Sequence, residues 1–124
     1  MKFKAWNGEQ FVIPDYLTNK GIARWKENSV TEVSDKVIYF TGLVDNNAIE
    51  IYSDDIREDN QGNKFRIYLT VGGFVIKADY WKTDLEDLSD FDNLILESLS
   101  NPQVADYICR STTHLYNKFE KQSL

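Results

Sequence analysis

The chain has 124 residues, with 42% apolar and 14% aromatic content, which suits one domain with a real core and excludes a disordered chain. A single cysteine, Cys109, excludes an internal disulfide and a cysteine-built zinc site. The net charge of −6 argues against nucleic-acid binding by the protein as a whole, which needs a basic footprint.

The charge is uneven. Lys2, Lys4, Lys20, Arg24 and Lys26 outnumber Glu9, Asp15 and Glu27 in the first part of the chain, so a local basic patch stays open. From Asp84 to Asp106 there are seven acids (Asp84, Glu86, Asp87, Asp90, Asp92, Glu97 and Asp106) and no base. No apolar run approaches the ~20 residues of a membrane span. Met1-Lys2-Phe3-Lys4 lacks the apolar core of a signal peptide. A cytoplasmic protein in a reducing compartment is therefore expected.

In chain order, residues 2–13 read as a hairpin: Phe3 and Ala5 alternate with Lys4 and Trp6, Asn7-Gly8 is a type I′ turn signal, and Phe11-Val12-Ile13 returns. Pro14 stops that strand. Over Asp15–Asn28 the residues Tyr16, Leu17, Ile22 and Trp25 suggest a short helical turn, with Gly21 against it. Val30–Val33 reads as a strand.

Val37–Tyr80 has the pattern of a β-meander, with short runs rich in Val, Ile, Tyr and Phe, each ended by a turn. Asp45-Asn46-Asn47, Ser53-Asp54 and Asp59-Asn60-Gln61-Gly62-Asn63 are the turns, and Gly72-Gly73 can supply the positive φ of a hairpin. Strands this short with loops this short fit a small closed barrel, because closure hides the edges. After Trp81 the pattern turns helical. Asp84–Asp92 suits a turn or short helix, and Leu94-Ile95-Leu96 with Leu99 has helical spacing. Asn101-Pro102 is an N-cap and first-turn proline, opening a helix expected to run to about Lys121. The β-branched pair Thr112-Thr113 is its weak point, where a terminal strand would begin instead.

Phe40–Ile56, FTGLVDNNAIEIYSDDI, resembles the signature of the YopX family, proteins of phages and prophages in low-GC Gram-positive bacteria. Thr41, Gly42, Leu43, Asp45, Asn47, Glu50, Ile51, Tyr52, Asp55 and Ile56 fall on the family pattern. Met1–Trp6 is similar to the family's start, and Val71-Gly72-Gly73-Phe74 to its later hairpin. Ala48 and Asp54 stand where the family usually has Gly, so both positions are expected to take a conformation open to a residue with a Cβ. The resemblance implies an SH3-like barrel and a bacterial host cell, and it implies no activity. The expected fold is mostly β: a small SH3-like barrel with an added N-terminal hairpin over residues 1–83. An acidic, helical C-terminal extension over 84–124 packs on the same domain or on a partner subunit.

Candidate chemistry is sparse. His114 is the only histidine and has no nucleophile or carboxylate at a motif spacing. Cys109 beside Ile108 reads as a buried thiol. Asp54, Asp55, Glu58 and Asp59 offer oxygen ligands to a hard cation, but an extended Asp55–Glu58 scatters them. Trp6, Trp25, Tyr39, Tyr52, Tyr68, Tyr80 and Trp81 can stack bases, and more commonly fill β cores. Neither a catalytic constellation nor a cofactor or metal site is expected. The motif residues above are taken as structural. Leu94, Leu96, Leu99, Val104, Tyr107, Ile108, Leu115 and Phe119 form a candidate association surface.

The function expected is non-enzymatic protein binding, including self-assembly into a homo-oligomer. The alternatives are a nucleic-acid-associated small barrel, an acidic nucleic-acid mimic acting on a host enzyme, and a metal-dependent enzyme using Asp54–Asp59.

Overall fold

A computed structural model describes residues 2–78 and 95–122 of the protein. The expected acidic turn or helix over Asp84–Asp92 lies outside the described residues, as do Tyr80, Trp81 and Leu94.

The fold is mostly β with a helical C-terminal portion. Strand β1 (Phe3–Trp6) turns back into β2 (Phe11–Val12) through the four residues 7–10, not the two-residue type I′ turn expected: Trp6 pairs with Phe11, and of Asn7 and Gly8 only Gly8 has a positive φ, 104°. Asn7 Oδ1 accepts from the N–H groups of Glu9 and Gln10, and the Trp6 and Phe11 rings meet edge to face at 4.9 Å. Behind this hairpin, β1 pairs with β6 (Val37–Val44), and β6 with β7 (Glu50–Tyr52), giving the order β2-β1-β6-β7.

The expected helical turn at 15–28 is instead a second sheet, β3 (Tyr16–Leu17), β4 (Ala23–Glu27) and β5 (Val30–Ser34), in that order. Local turn chemistry decides it. Thr18 Oγ1 accepts from the N–H groups of Lys20 and Ile22, and Gly21 takes φ 79°, which reverses the chain. Period two then sends Ala23 and Trp25 inward against Ala5 and Val37 and leaves Arg24 and Lys26 exposed. Asn28 and Ser29 both have positive φ, as a two-residue type I′ hairpin turn requires.

The third sheet runs β11-β10-β9-β8-β12. It comprises β8 (Asp55–Asp59), β9 (Lys64–Thr70), β10 (Gly73–Ala78), β11 (Ile95–Ser98) and β12 (Thr112–Asn117). Helix α1 (Pro102–Ser111) is N-capped by Asn101, whose side chain accepts from the Gln103 N–H, as read from the sequence. Two expectations are corrected here. Ile95–Ser98 is not helical: it pairs with β10, and strand pairing overrides the helical spacing of Ile95, Leu96 and Leu99. The C-terminal helix does not reach Lys121. Thr112 is extended, and the chain runs as β12 alongside β8 before a last turn, α2 (Lys118–Gln122). Here β-branched Thr112-Thr113 favours the strand, and the β8 ladder completes it.

The core has two parts. Ala5, Ala23, Trp25 and Val37 join the first two sheets. Ile51, Phe65, Ile67, Ile76, Leu99 and Ile108 join β7, the five-stranded sheet and α1. Among the described residues the three ladders are open, and none seals them into the closed SH3-like barrel expected.

Candidate functional site

The signature residues build a scaffold around a buried ion pair. Asp45 Oδ1 accepts from the N–H groups of Asn47 and Ile49, which shapes the β6–β7 turn. Its other oxygen takes Arg57 at 2.7 Å, with 0% and 1% side-chain exposure for Arg57 and Asp45. Arg57 also donates through Nε to Thr112 Oγ1 and through Nη2, the nitrogen that meets Asp45, to the Thr112 carbonyl. One side chain thus ties the signature loop to the strand after α1, while the Asn46 N–H bonds the Cys109 carbonyl. Burial pushes the Asp45 carboxyl up. The Arg57 guanidinium, with the N–H groups of Ile49 and Asn47, outweighs burial and holds it below the ordinary range.

The other motif residues are equally structural. Thr41 donates to the Ile51 carbonyl and accepts from the Leu43 N–H, bracing the irregular β6–β7 register at Gly42. Gly42 has φ 88° with open space where a Cβ would lie, so the backbone angle rather than close approach requires glycine. Glu50 pairs with Lys2. Tyr52 is buried beside Phe40, with ring centroids 5.5 Å apart, and burial followed by the nearby Glu50 charge pushes its phenol up to about 12. Asp55 accepts from the Tyr52 N–H and from Asn117 Nδ2, and Ile51 and Ile56 are fully buried. The expectation for Ala48 and Asp54 is corrected: both take the left-handed backbone that favours glycine, at φ 62° and 67°.

Asp54, Asp55, Glu58 and Asp59 do not converge. Asp54 pairs with Arg66 at 2.9 Å, Asp55 faces Asn117, and Asp59 accepts from Gln61, Asn63 and the Tyr107 hydroxyl. Among the described residues no three His, Cys, Asp or Glu side chains are grouped to hold a metal ion. His114 and Asp55 meet in a crevice of about 270 Å³ that Glu50, Tyr52 and Lys4 also line. His114 Nδ1 lies 3.9 Å from Asp55 Oδ2, too far for a hydrogen bond. Burial pushes the Asp55 carboxyl up, against the Tyr52 N–H and Asn117. The described residues that line the crevice include no Ser, Thr or Cys. Cys109 is half-buried against the core, and burial pushes its thiol up, which suppresses the reactive thiolate.

The candidate association stripe is largely inside the chain. Leu99 and Ile108 are core, and Val104 packs on them. Phe119 is half-buried, while Tyr107 and Leu115 stay at the surface. Leu96 stands in β11 opposite Lys77.

Sequence reasoning read strand β5 but missed β3 and β4, and with them the sheet. Tyr16, Val30 and Val33 are 53%, 57% and 58% exposed, and Ile13 just before β3 is exposed as well. Tyr16 and Val33 flank Arg24 across the sheet, and Thr31 stands opposite Lys26, so these five share the outer face. Glu27 and Glu32 lie on the opposite face by the same register. The alternation Ala23-Arg24-Trp25-Lys26 was the available signal. The five N-terminal bases therefore divide. Lys2 and Lys4 sit over the Phe40 and Tyr52 rings, Lys20 is in the β3–β4 turn, and only Arg24 and Lys26 share this face.

A family model described as YopX protein matches residues 14–105, well over half the chain. The protein belongs to the YopX family. The YopX match takes in the Phe40–Phe74 signature, runs past Trp81, and begins after the Met1–Trp6 hairpin strand. No curated protein and no solved structure matches this YopX chain.

Proposed function

We propose that the protein is a non-enzymatic phage or prophage accessory protein of the bacterial cytoplasm that works by binding another polypeptide, a second copy included. The observation that carries this is the open edge of β5. Strand β5 pairs with β4 on one side, and among the described residues nothing pairs with the other. Such an edge is a template for a further strand, and native sheets commonly blunt it with lysine, proline or a bulge. Here Val30-Thr31-Glu32-Val33 carries no lysine, proline or bulge, and Glu32 is its one charged residue. Asp45 and Asp55 of the signature, by contrast, are satisfied within the chain, by Arg57 and Asn117.

The turn geometry makes a clean test. A two-residue hairpin turn makes Glu27 and Val30 a hydrogen-bonded pair. Thr31 and Val33 then direct their N–H and C=O groups to the open side. Thr31→Pro removes an outward donor and blocks the edge while sparing the β4 ladder. Wild-type protein and Thr31→Pro are used as bait in a host lysate, and the recovered complex is weighed. A protein retained in fixed stoichiometry by wild type and lost with Thr31→Pro supports the binding role. Equal retention by both, or none by either, overturns it.

A further inference from the structure

We infer that the β5 edge takes an extended polypeptide segment of a partner protein with acidic side chains at alternate positions. This rests on the binding role proposed above and adds the chemistry of the occupant. The backbone sets the form. Thr31 and Val33 present two N–H and two C=O groups along one line, which an added strand satisfies.

Charge sets the composition. Arg24 and Lys26 are exposed on the outer face, and neither has an ion pair among the described residues. That face has no acid in β3, β4 or β5, in a chain whose net charge is −6. An added strand lies two strand spacings, about 10 Å, from β4. A long Arg or Lys side chain and a Glu side chain reaching toward each other span that gap. Side chains of the added strand on the other face meet Glu32, which repels acids there, so the acids belong at every second position.

A nucleic-acid strand fits less well. It has no backbone groups matching a strand edge, and among the described residues of β3, β4 and β5 the face offers one aromatic, Tyr16, rather than a row of stacking platforms. A second copy centred on Glu32 would set the two Glu32 side chains directly opposite each other.

The test uses the full chain and three fluorescent peptides: alternating Glu-Thr, alternating Lys-Thr, and Glu-Thr with a central proline. A single-stranded oligonucleotide is the fourth probe. Saturable binding is expected for Glu-Thr alone. Arg24→Glu/Lys26→Glu, two exposed positions that leave the core intact, should weaken it roughly tenfold or more. Thr31→Pro should abolish it, with circular dichroism of each variant confirming the fold. Equal or tighter binding of Lys-Thr, of the proline peptide or of the oligonucleotide overturns the inference. So does a wild-type dimer that Thr31→Pro makes monomeric, since the second copy then fills the edge. If lysate capture depends on Thr31 while Glu-Thr does not bind, the acidic occupant falls and the binding role stands. If capture ignores Thr31, the binding role itself falls.

Discussion

Replacing Arg57 by Met probes the joint on which the fold closes. Met keeps the apolar stem but removes the guanidinium from Asp45 and from both Thr112 contacts. Asp45 is then a buried carboxylate held only by the N–H groups of Asn47 and Ile49. Stripping one partner from a buried pair costs roughly 3–5 kcal/mol, a large share of the ~5–15 kcal/mol that holds a domain of this size. At this chain length each kcal/mol shifts Tm by roughly 4 °C, so a fall of about 12–20 °C is expected in a thermal melt. The pH dependence gives a second reading. In wild type Asp45 is held below its ordinary value, so its contribution is present above the unfolded value of ~3.9 and is lost as pH falls through the lower folded one. Without Arg57, burial acts with less opposition and pushes Asp45 up. The variant's deficit should then be largest at neutral pH and narrow on acidification. Asp45→Asn/Arg57→Met should be less destabilised than the two single changes summed. An Arg57→Met protein within about 1 kcal/mol of wild type, or a deficit flat with pH, would refute this role for the pair.

Ala48→Gly should stabilise. The left-handed backbone costs Ala about 1–2 kcal/mol, glycine's extra unfolded freedom costs ~0.5–1, and the difference is a gain of up to about 1.5 kcal/mol in urea denaturation. Asp54→Gly relieves the same backbone but loses the Arg66 pair, so it should show a smaller gain or none; a larger gain than at Ala48 would contradict the value assigned to that pair. Tyr52→Ala should cost ~3–5 kcal/mol, and a variant that melts like wild type removes Tyr52 from the core. Truncation after Ser100 removes Ile108 from the core, Thr112 from Arg57 and Asn117 from Asp55, and should give an unfolded or aggregated chain. A soluble, cooperatively melting product would mean that β12 is dispensable.

Much of the architecture was legible where local chemistry and tertiary pairing agree. Asn7-Gly8, Asp59–Asn63 and Asn101-Pro102 act where they stand in the sequence, because each satisfies its own backbone. The failures are places where pairing decided. Ile95–Ser98 has helical spacing but lies beside β10, and Thr112–Asn117 leaves the helix to complete β8. Asp45 and Asp55 were recognised as motif residues. Asp45 is met by Arg57, itself held by Thr112, and Asp55 by Asn117; Thr112 and Asn117 come from the far end of the chain, and no spacing announces such contacts. The outer face of β3–β4–β5 was hidden for a different reason. Trp25 and Ile22 fit a helical turn as well as a strand, and only the Thr18–Ile22 turn selects the alternation that separates Arg24 and Lys26 from Trp25.

The most direct measurement is photo-crosslinking in living cells that produce the protein, with a benzophenone side chain placed at Val33 on the outer face, or at Leu115 or Val71, exposed positions elsewhere. Binding at the β5 edge predicts a discrete covalent adduct with another polypeptide from Val33, lost when Thr31→Pro is added, and no such adduct from Leu115 or Val71. Adducts from Leu115 or Val71 alone, or an adduct from Val33 that ignores Thr31→Pro, would contradict it.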